Sequence, residues 1–249
     1  KAGRESDPFK GIVSGEDRFV EIWNLVFMQF YEKSPGVMDP LPKPSVDTGS
    51  GLERVTAALQ GKFNNYDTDL FAQMIEKACK ISGVDYVTDL DVLKKNSSIA
   101  EKTAALRVLA DHSRAAGFLI ADGALPSNEG RGYVLRRILR RAIRFGHKLN
   151  SQKSIMPGMV ESLIEHMGAA YPELKQRRDH VLSTVRDEEE RFLVTLDQGT
   201  QILNEELKKS LGRGQKVLSG EVVFKLYDTY GFPADLTRVI ANEQGLNID

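Results

Sequence analysis

Cysteine is all but missing from this sequence, with Cys79 alone among 249 residues. That excludes an intramolecular disulfide and fits a reducing compartment, so a cytoplasmic location is expected. Histidine is nearly as scarce. His112, His147, His166 and His180 are scattered, and a single cysteine completes no zinc-ligand spacing with them, so no metal is expected in this chain. No apolar run approaches the length of a membrane span, and the charged N-terminus (Lys1, Arg4, Glu5, Asp7) is unlike a signal peptide. A membrane partner is therefore not expected. The last shortage is local: residues 130–160 contain no aspartate or glutamate.

The total charge conceals that gap. Lys and Arg number 34 against 35 Asp and Glu, for a net charge of −1. Yet residues 130–160 carry Arg131, Arg136, Arg137, Arg140, Arg141, Arg144, Lys148 and Lys153, while acids gather elsewhere, as in Asp187-Glu188-Glu189-Glu190. On a helix of about 100° per residue, the six cations from Arg136 to Lys148 fall within an arc of about 140°. Val134, Leu135, Ile138, Leu139, Ala142, Phe145 and Leu149 cover most of the rest. One face is core, and the other is an unpaired cationic ridge with no acid on its own helix for i,i+4 pairing. Like-charge crowding is costly unless something anionic binds. The ridge points to nucleic acid, and the plainer alternative is a solvated face.

A chain of this length can bury a sizeable core and hold one or two domains. Residues 1–17 are polar with turn residues. Residues 19–31, rich in β-branched and aromatic side chains, predict a long strand. Trp23, Leu25 and Phe27 share one face and Ile22, Val26, Met28 and Phe30 the other, which predicts a strand buried within a sheet. Asn24 and Gln29 interrupt that surface, either as satisfied core amides or as substrate contacts. Residues 34–44 hold four prolines and a glycine and predict a connecting loop.

Then comes Val46-Asp47-Thr48-Gly49-Ser50-Gly51-Leu52-Glu53-Arg54, where a short strand meets two glycines and runs into a helix. Ser50 and Glu53 have the spacing of a capping box. Gly49 and Gly51 lack Cβ, so backbone and a bulky ligand can approach closely. Arg54 falls in the first helical turn, where a guanidinium could clamp a phosphate or carboxylate. Strand, glycine turn and capped helix also describe an ordinary structural junction.

Asn64-Asn65-Tyr66-Asp67 reads as a turn and helix cap, which places a domain boundary there and gives domains 1–62 and 63–249. Beyond it, helical periodicity predicts helices over 68–82, 99–122, 132–150, 157–167, 178–211, 220–227 and 234–245. In the longest, Leu182, Val185, Phe192, Leu196, Leu203, Leu207 and Leu211 form a stripe expected to pack on neighbouring helices. The expected fold class is α+β, part of an antiparallel sheet followed by a mainly α-helical domain. A glycine-rich loop before the basic helix presents Asn128 and Arg131 beside the ridge. Asn128 can donate and accept at once, which suits reading base edges in the shallow minor groove of an RNA duplex. It could equally cap a helix or hold a turn. Asp228, within Leu226-Tyr227-Asp228-Thr229-Tyr230-Gly231-Phe232-Pro233, is a plausible cap or an acceptor for an exocyclic base amine.

Gly-Ser-Gly-Leu-Glu-Arg after a strand resembles the third signature motif of class II aminoacyl-tRNA synthetases. With Val46-Asp47-Thr48 in front and the strand Glu21-Ile22-Trp23-Asn24-Leu25-Val26-Phe27-Met28-Gln29-Phe30 upstream, it resembles the alanyl-tRNA synthetase family within that class. The similarity runs over 19–249 and is clearest at 21–30, 42–54, 64–71, 107–122, 128–144 and 226–236. The resemblance implies ATP-dependent activation of alanine, with Mg²⁺, and transfer to the 3′ end of alanine tRNA. It implies that Arg54 holds the ATP γ-phosphate and that Gly49 and Gly51 line the nucleotide pocket. Asp47 would bind the alanine ammonium, with Asn24, Val26 and Gly49 completing the alanine pocket. Asn128 and Asp228 would read the acceptor-stem G·U pair, while Arg131, Arg137, Arg140 and Arg141 position the backbone, a division general to nucleic-acid interfaces.

The sequence also departs from the family. The first two class II motifs and the upstream pocket tryptophan are not found, and Ser50 replaces a common methionine. The editing domain, which carries the family's zinc site, would follow Asp249. The chain is accordingly expected to be a fragment, inactive in adenylation by itself. The alternative is a free-standing tRNA- or RNA-binding module without catalysis.

Overall fold

The computed structural model describes Lys10 and residues 19–149, 154–230 and 232–249. Most of 1–17, the predicted helix end at Asn150, Lys153 of the basic stretch and Gly231 of the C-terminal corner lie outside the described residues. Two compact units are present, Lys1–Leu70 and Phe71–Asp249. The architecture is α+β, a small antiparallel sheet in the first unit and a mainly helical second unit.

In the first unit, β1 (Trp23–Ser34) and β2 (Val37–Ser50) form an antiparallel ribbon. The expected loop over 34–44 is instead a tight hairpin. Gly36 takes φ 82°, a left-handed conformation that glycine adopts without a Cβ clash, directly after the φ-restricted Pro35. The remaining prolines lie in β2, and the register explains why two of them are tolerated. Pairing slips between Met28↔Ser45 and Phe30↔Pro40, and Pro42 and Pro44 fall in that slipped stretch, where no ladder N–H is needed.

The strand also differs from expectation in its burial. Trp23, Leu25, Val26, Phe27 and Phe30 are all exposed, because two strands alone cannot cover either of their faces. The capping box over Ser50 and Glu53 does not form. Helix α1 (Leu52–Leu59) begins at Gly51 without a side-chain cap. Ser50 is still in β2, and its hydroxyl donates to the Ile22 carbonyl at 3.2 Å. Past α1, Asn64 Oδ1 accepts from Tyr66 N at 3.0 Å and starts a single 3-10 turn, Asn65–Asp67.

The second unit packs helices α2 (Asp69–Ser82), α3 (Leu90–Lys95), α4 (Ser97–Ala121), α5 (Gly130–Leu149), α6 (Met156–Met167), α7 (Pro172–Gln176) and α8 (Arg178–Gly212). A two-residue strand β3 (Val217–Leu218), α9 (Gly220–Tyr230), α10 (Ala234–Glu243) and β4 (Asn247–Ile248) follow, with β3 and β4 parallel. The short helices and this strand pair are too brief to leave a periodic signal. Asp89 and Asn96 side chains cap α3 and α4.

The core lies where α4, α5, α6 and α8 meet, around Leu106, Leu109, Leu135, Leu139, Met159 and Phe192. Each such buried side chain contributes about 1.5–3 kcal/mol. The α8 stripe is buried from Leu182 to Leu207, while Leu211 is exposed. At Gly199 of α8 a Cβ would meet Phe232 Cδ2 at 2.5 Å. That glycine lets the fully buried Phe232, at the α9–α10 corner, seat against α8.

Candidate functional site

The ribbon register decides which side chains share a face. Asn24 stands opposite Gly49 and Val26 opposite Asp47. Directly paired residues point to the same side of a sheet, as do residues two apart, so all four lie on one face. Nothing lies within 4 Å of a Cβ built on Gly49, which leaves the space above it open. Arg54, in the first turn of α1, donates from Nη1 to the Glu21 carbonyl at 2.8 Å. A Cβ on Gly51 would stand 3.3 Å from Arg54 Cδ, so that glycine leaves room for the arginine stem.

In the helical unit the basic ridge is not unpaired, contrary to the sequence reading. Arg140 Nε donates to Glu188 Oε1 at 2.7 Å, and its guanidinium lies 4.9 Å from the Phe192 ring centroid. Arg144 Nη2 reaches both oxygens of Glu243 at 3.0–3.1 Å, and Lys148 reaches Glu101 at 3.0 Å. The acids come from α8, α10 and α4, not from neighbours on α5. Arg131, Arg137 and Arg141 are exposed to solvent, whatever their partners. Arg141 also acts on Asp111. That carboxyl is held below its usual value first by the hydrogen bond to His112, at 2.9 Å, and further by the charges of His112, Arg114 and Arg141, against the opposing effect of burial.

The loop before α5 folds back on its helix. Ser127 Oγ donates to Glu129 O at 2.8 Å, and a Cβ on Gly132 would collide with Ser127 and the Leu125 carbonyl. Asn128 is no helix cap here. Its Oδ1 accepts from Arg136 Nη1, while Arg136 Nη2 reaches Pro126 O at 3.4 Å. Asp228, on α9, faces the same depression. Asn128, Tyr133, Arg136, Arg137, Arg140, Tyr227, Asp228 and Pro233 line a cavity of about 330 Å³. A second depression of about 420 Å³ shares Arg137, Arg140 and Pro233 and adds Arg141, Arg144, Arg238 and His112. Arg131 lines neither. Among the described residues, no three His, Cys, Asp or Glu side chains are grouped to hold a metal, and no helix is long and apolar enough to cross a membrane.

A sequence model of the family described as tRNA synthetases class II (A) matches residues 4–249. The chain belongs to that family. Within it, the chain is 70% identical over its full length to an alanine–tRNA ligase of Bdellovibrio bacteriovorus, covering 28% of that protein. Alanine–tRNA ligases of Methylobacillus flagellatus and Psychromonas ingrahamii are 51% and 52% identical over 233 residues, 94% of this chain and 25% of each relative. The chain therefore spans about a quarter of the length of these class II relatives.

Three residues of this class II chain escaped sequence reasoning. Glu188 and Glu189 belong to an acid run that reads as solvated, yet both are buried. Glu189 takes the N–H groups of Ile155 and Met156, at 3.0 and 3.1 Å, and the Ser154 hydroxyl, which ties the start of α6 to α8. The available signal was position: the pair sits three and four residues after Val185 and before Phe192, on the apolar stripe. In the sequence Arg136 is one more ridge cation, with nothing local to mark its contact with Asn128.

Proposed function

We propose that this chain is part of an alanine–tRNA ligase. Residues 63–249 recognise the acceptor stem of alanine tRNA, and residues 1–62 contribute to the site that activates alanine with ATP. The observation that carries the first half is the cavity shared by Asn128 and Asp228, a hundred residues apart in sequence, with arginines at its edge. Asn128 brings an amide and Asp228 a carboxylate, a combination that meets both donors and acceptors on a base edge. Arg131, Arg137 and Arg141 supply exposed charge for the phosphate backbone, which sets affinity without reading sequence. Arg140 lines the cavity while bound to Glu188, and its part is to shape the site.

For the second half, Asp47 would take the alanine ammonium in a charge-assisted bond. Asn24, Val26 and Gly49 share its ribbon face. Val26 would limit side-chain size, a discrimination worth only about 1–3 kcal/mol per methylene-sized difference. Arg54 commits Nη1 to Glu21, and its other N–H donors address the ATP γ-phosphate beside Gly49 and Gly51. No side chain here acts as a nucleophile. The contribution is positioning and neutralisation of phosphate charge. Among the described residues, no three His, Cys, Asp or Glu side chains are grouped to hold Mg²⁺.

The deciding experiment measures binding of the full chain to alanine tRNA and to a variant with the acceptor-stem G·U pair changed to G·C. A preference of about 1–3 kcal/mol for G·U, lost in Asn128→Ala and in Asp228→Ala, is expected. Equal, salt-sensitive binding to both would overturn base reading. ATP–pyrophosphate exchange by the chain alone is expected to be absent.

A further inference from the structure

An asparagine reads different chemistry depending on which end of its amide faces the ligand. The oxygen accepts and the NH₂ donates, and the two ends have the same shape. For Asn128 the choice is made by its neighbour. Arg136 has only donors, so the end of Asn128 that meets Arg136 Nη1 has to be Oδ1. The NH₂ end is thereby turned away from Arg136.

Arg136 is in turn held from two sides. Nη2 reaches the Pro126 carbonyl at 3.4 Å, inside the loop that carries Asn128. Nε lies 3.4 Å from Glu188 Oε1 across the α5–α8 contact. Glu188 is only 3% exposed and Arg136 19%, and Glu188 is pinned by Arg140 Nε at 2.7 Å, one turn further along α5. The contact between Arg136 Nε and Glu188 is a charge contact: that buried N–H makes no hydrogen bond among the described residues. The guanidinium is thus oriented with its terminal nitrogens toward the loop, at the expense of its best bond to the glutamate. A residue placed only to neutralise Glu188 would use Nε, as Arg140 does.

With base reading by Asn128 and Asp228 taken as proposed above, we propose that Arg136, anchored by buried Glu188, is a positioning residue. It fixes the Asn128 amide with its NH₂ outward. The cavity then offers a donor at Asn128 and an acceptor at Asp228, so it suits a base edge that presents an acceptor and a donor side by side. Arg136 itself need not touch the RNA.

Two substitutions test this in the full chain, using the ratio of affinities for alanine tRNA and its G·C variant. Arg136→Gln offers Asn128 both a donor and an acceptor and releases the choice of amide end. It is expected to reduce the ratio at least about fivefold, from a wild-type value on the order of 5–150, and to add nothing when Asn128 is already alanine. Asn128→Asp keeps an oxygen toward Arg136 but replaces the outward NH₂ by a second acceptor. It is expected to lose the ratio as completely as Asn128→Ala. Generic weakening by the added negative charge affects both RNAs and cancels.

A ratio retained in Asn128→Asp but lost in Asn128→Ala would mean that oxygen faces the base, which overturns the proposal. So would an unchanged ratio in Arg136→Gln, while base reading by Asn128 stood. If Asn128→Ala leaves the ratio intact, base reading and the positioning role fall together. Should Arg136→Gln fail to fold, Asn128→Asp decides alone.

Discussion

In residues 71–249, Leu106, Leu139 and Phe192 are sealed from water, whereas in residues 1–70 Trp23, Leu25 and Phe27 stand 62, 55 and 70% exposed. The two units are similarly rich in large apolar side chains, so composition does not separate them. What differs is geometry. A helix hides its apolar stripe by packing against a few others, and α4, α5, α6 and α8 supply one another with that cover. A two-stranded ribbon has two open faces, and among the described residues of its own unit nothing closes either. Apolar alternation on both faces is the pattern of a strand covered from both sides, and large exposed apolar patches mark surfaces of interaction. The helical unit covers its own apolar stripes, and the described ribbon leaves its apolar side chains exposed. The candidate sites follow the same division, with a formed cavity in the helices and an open face on the ribbon.

The sharpest test of that contrast is a matched pair of truncations. Phe192→Ala is expected to cost about 3–5 kcal/mol in denaturant unfolding, and Phe27→Ala no more than about 0.5 kcal/mol. Equal costs would erase the distinction. Next in size is Glu189→Ala, which leaves the N–H groups of Ile155 and Met156 buried without their carboxylate. A loss of about 1–3 kcal/mol is expected. The exposed Glu101 paired with Lys148 should lose under about 1 kcal/mol on the same change. Gly199→Ala drives a methyl into Phe232 and is expected to cost about 1–3 kcal/mol. Because Phe232 seats the corner that carries Asp228, the proposed tRNA binding should weaken along with stability. Gly49→Ala, which meets nothing, should leave unfolding unchanged.

How far the sequence could be read depended on the range of each signal. Helices announced themselves through 3.6-residue periodicity, and the turn at Asn64 through a cap that acts only two residues on; the caps at Asp89 and Asn96 emerge only from the structure. The hairpin did not, because Pro35 and Gly36 lay among further prolines that suggested one long loop. The partners of the cationic ridge were out of reach for a different reason. Glu188 is 48 residues from Arg140 and Glu243 is 99 from Arg144, so only the packing of α8 and α10 brings them in. Local reading saw a helix without acids and concluded that its charge was unpaired. Likewise no local pattern links Asn128 to Asp228. Only the family resemblance associates them, and the shared cavity is a product of the tertiary fold.

The smallest expected effect concerns acid, and it separates two arginines that look alike in sequence. Asp111 has its carboxyl held below the usual value, principally by the bond to His112 and in part by Arg141. A carboxyl depressed on folding contributes stability above its unfolded pKa of about 3.9, and that contribution is lost as pH falls through the lower folded value. Stability should therefore gain an extra decline below about pH 4, absent in Asp111→Asn. The effect is modest, since the Asp111 side chain is 41% exposed and solvent screens it. Arg141→Ala removes one of the depressing charges, so the acid limb should move slightly toward higher pH. Arg131 has no carboxylate partner among the described residues, so Arg131→Ala should leave the limb in place while weakening the proposed RNA binding. Urea midpoints measured from pH 2.5 to 5 for the three variants check this. An identical acid limb in Arg141→Ala and wild type would mean that Arg141 serves the surface alone, as Arg131 does.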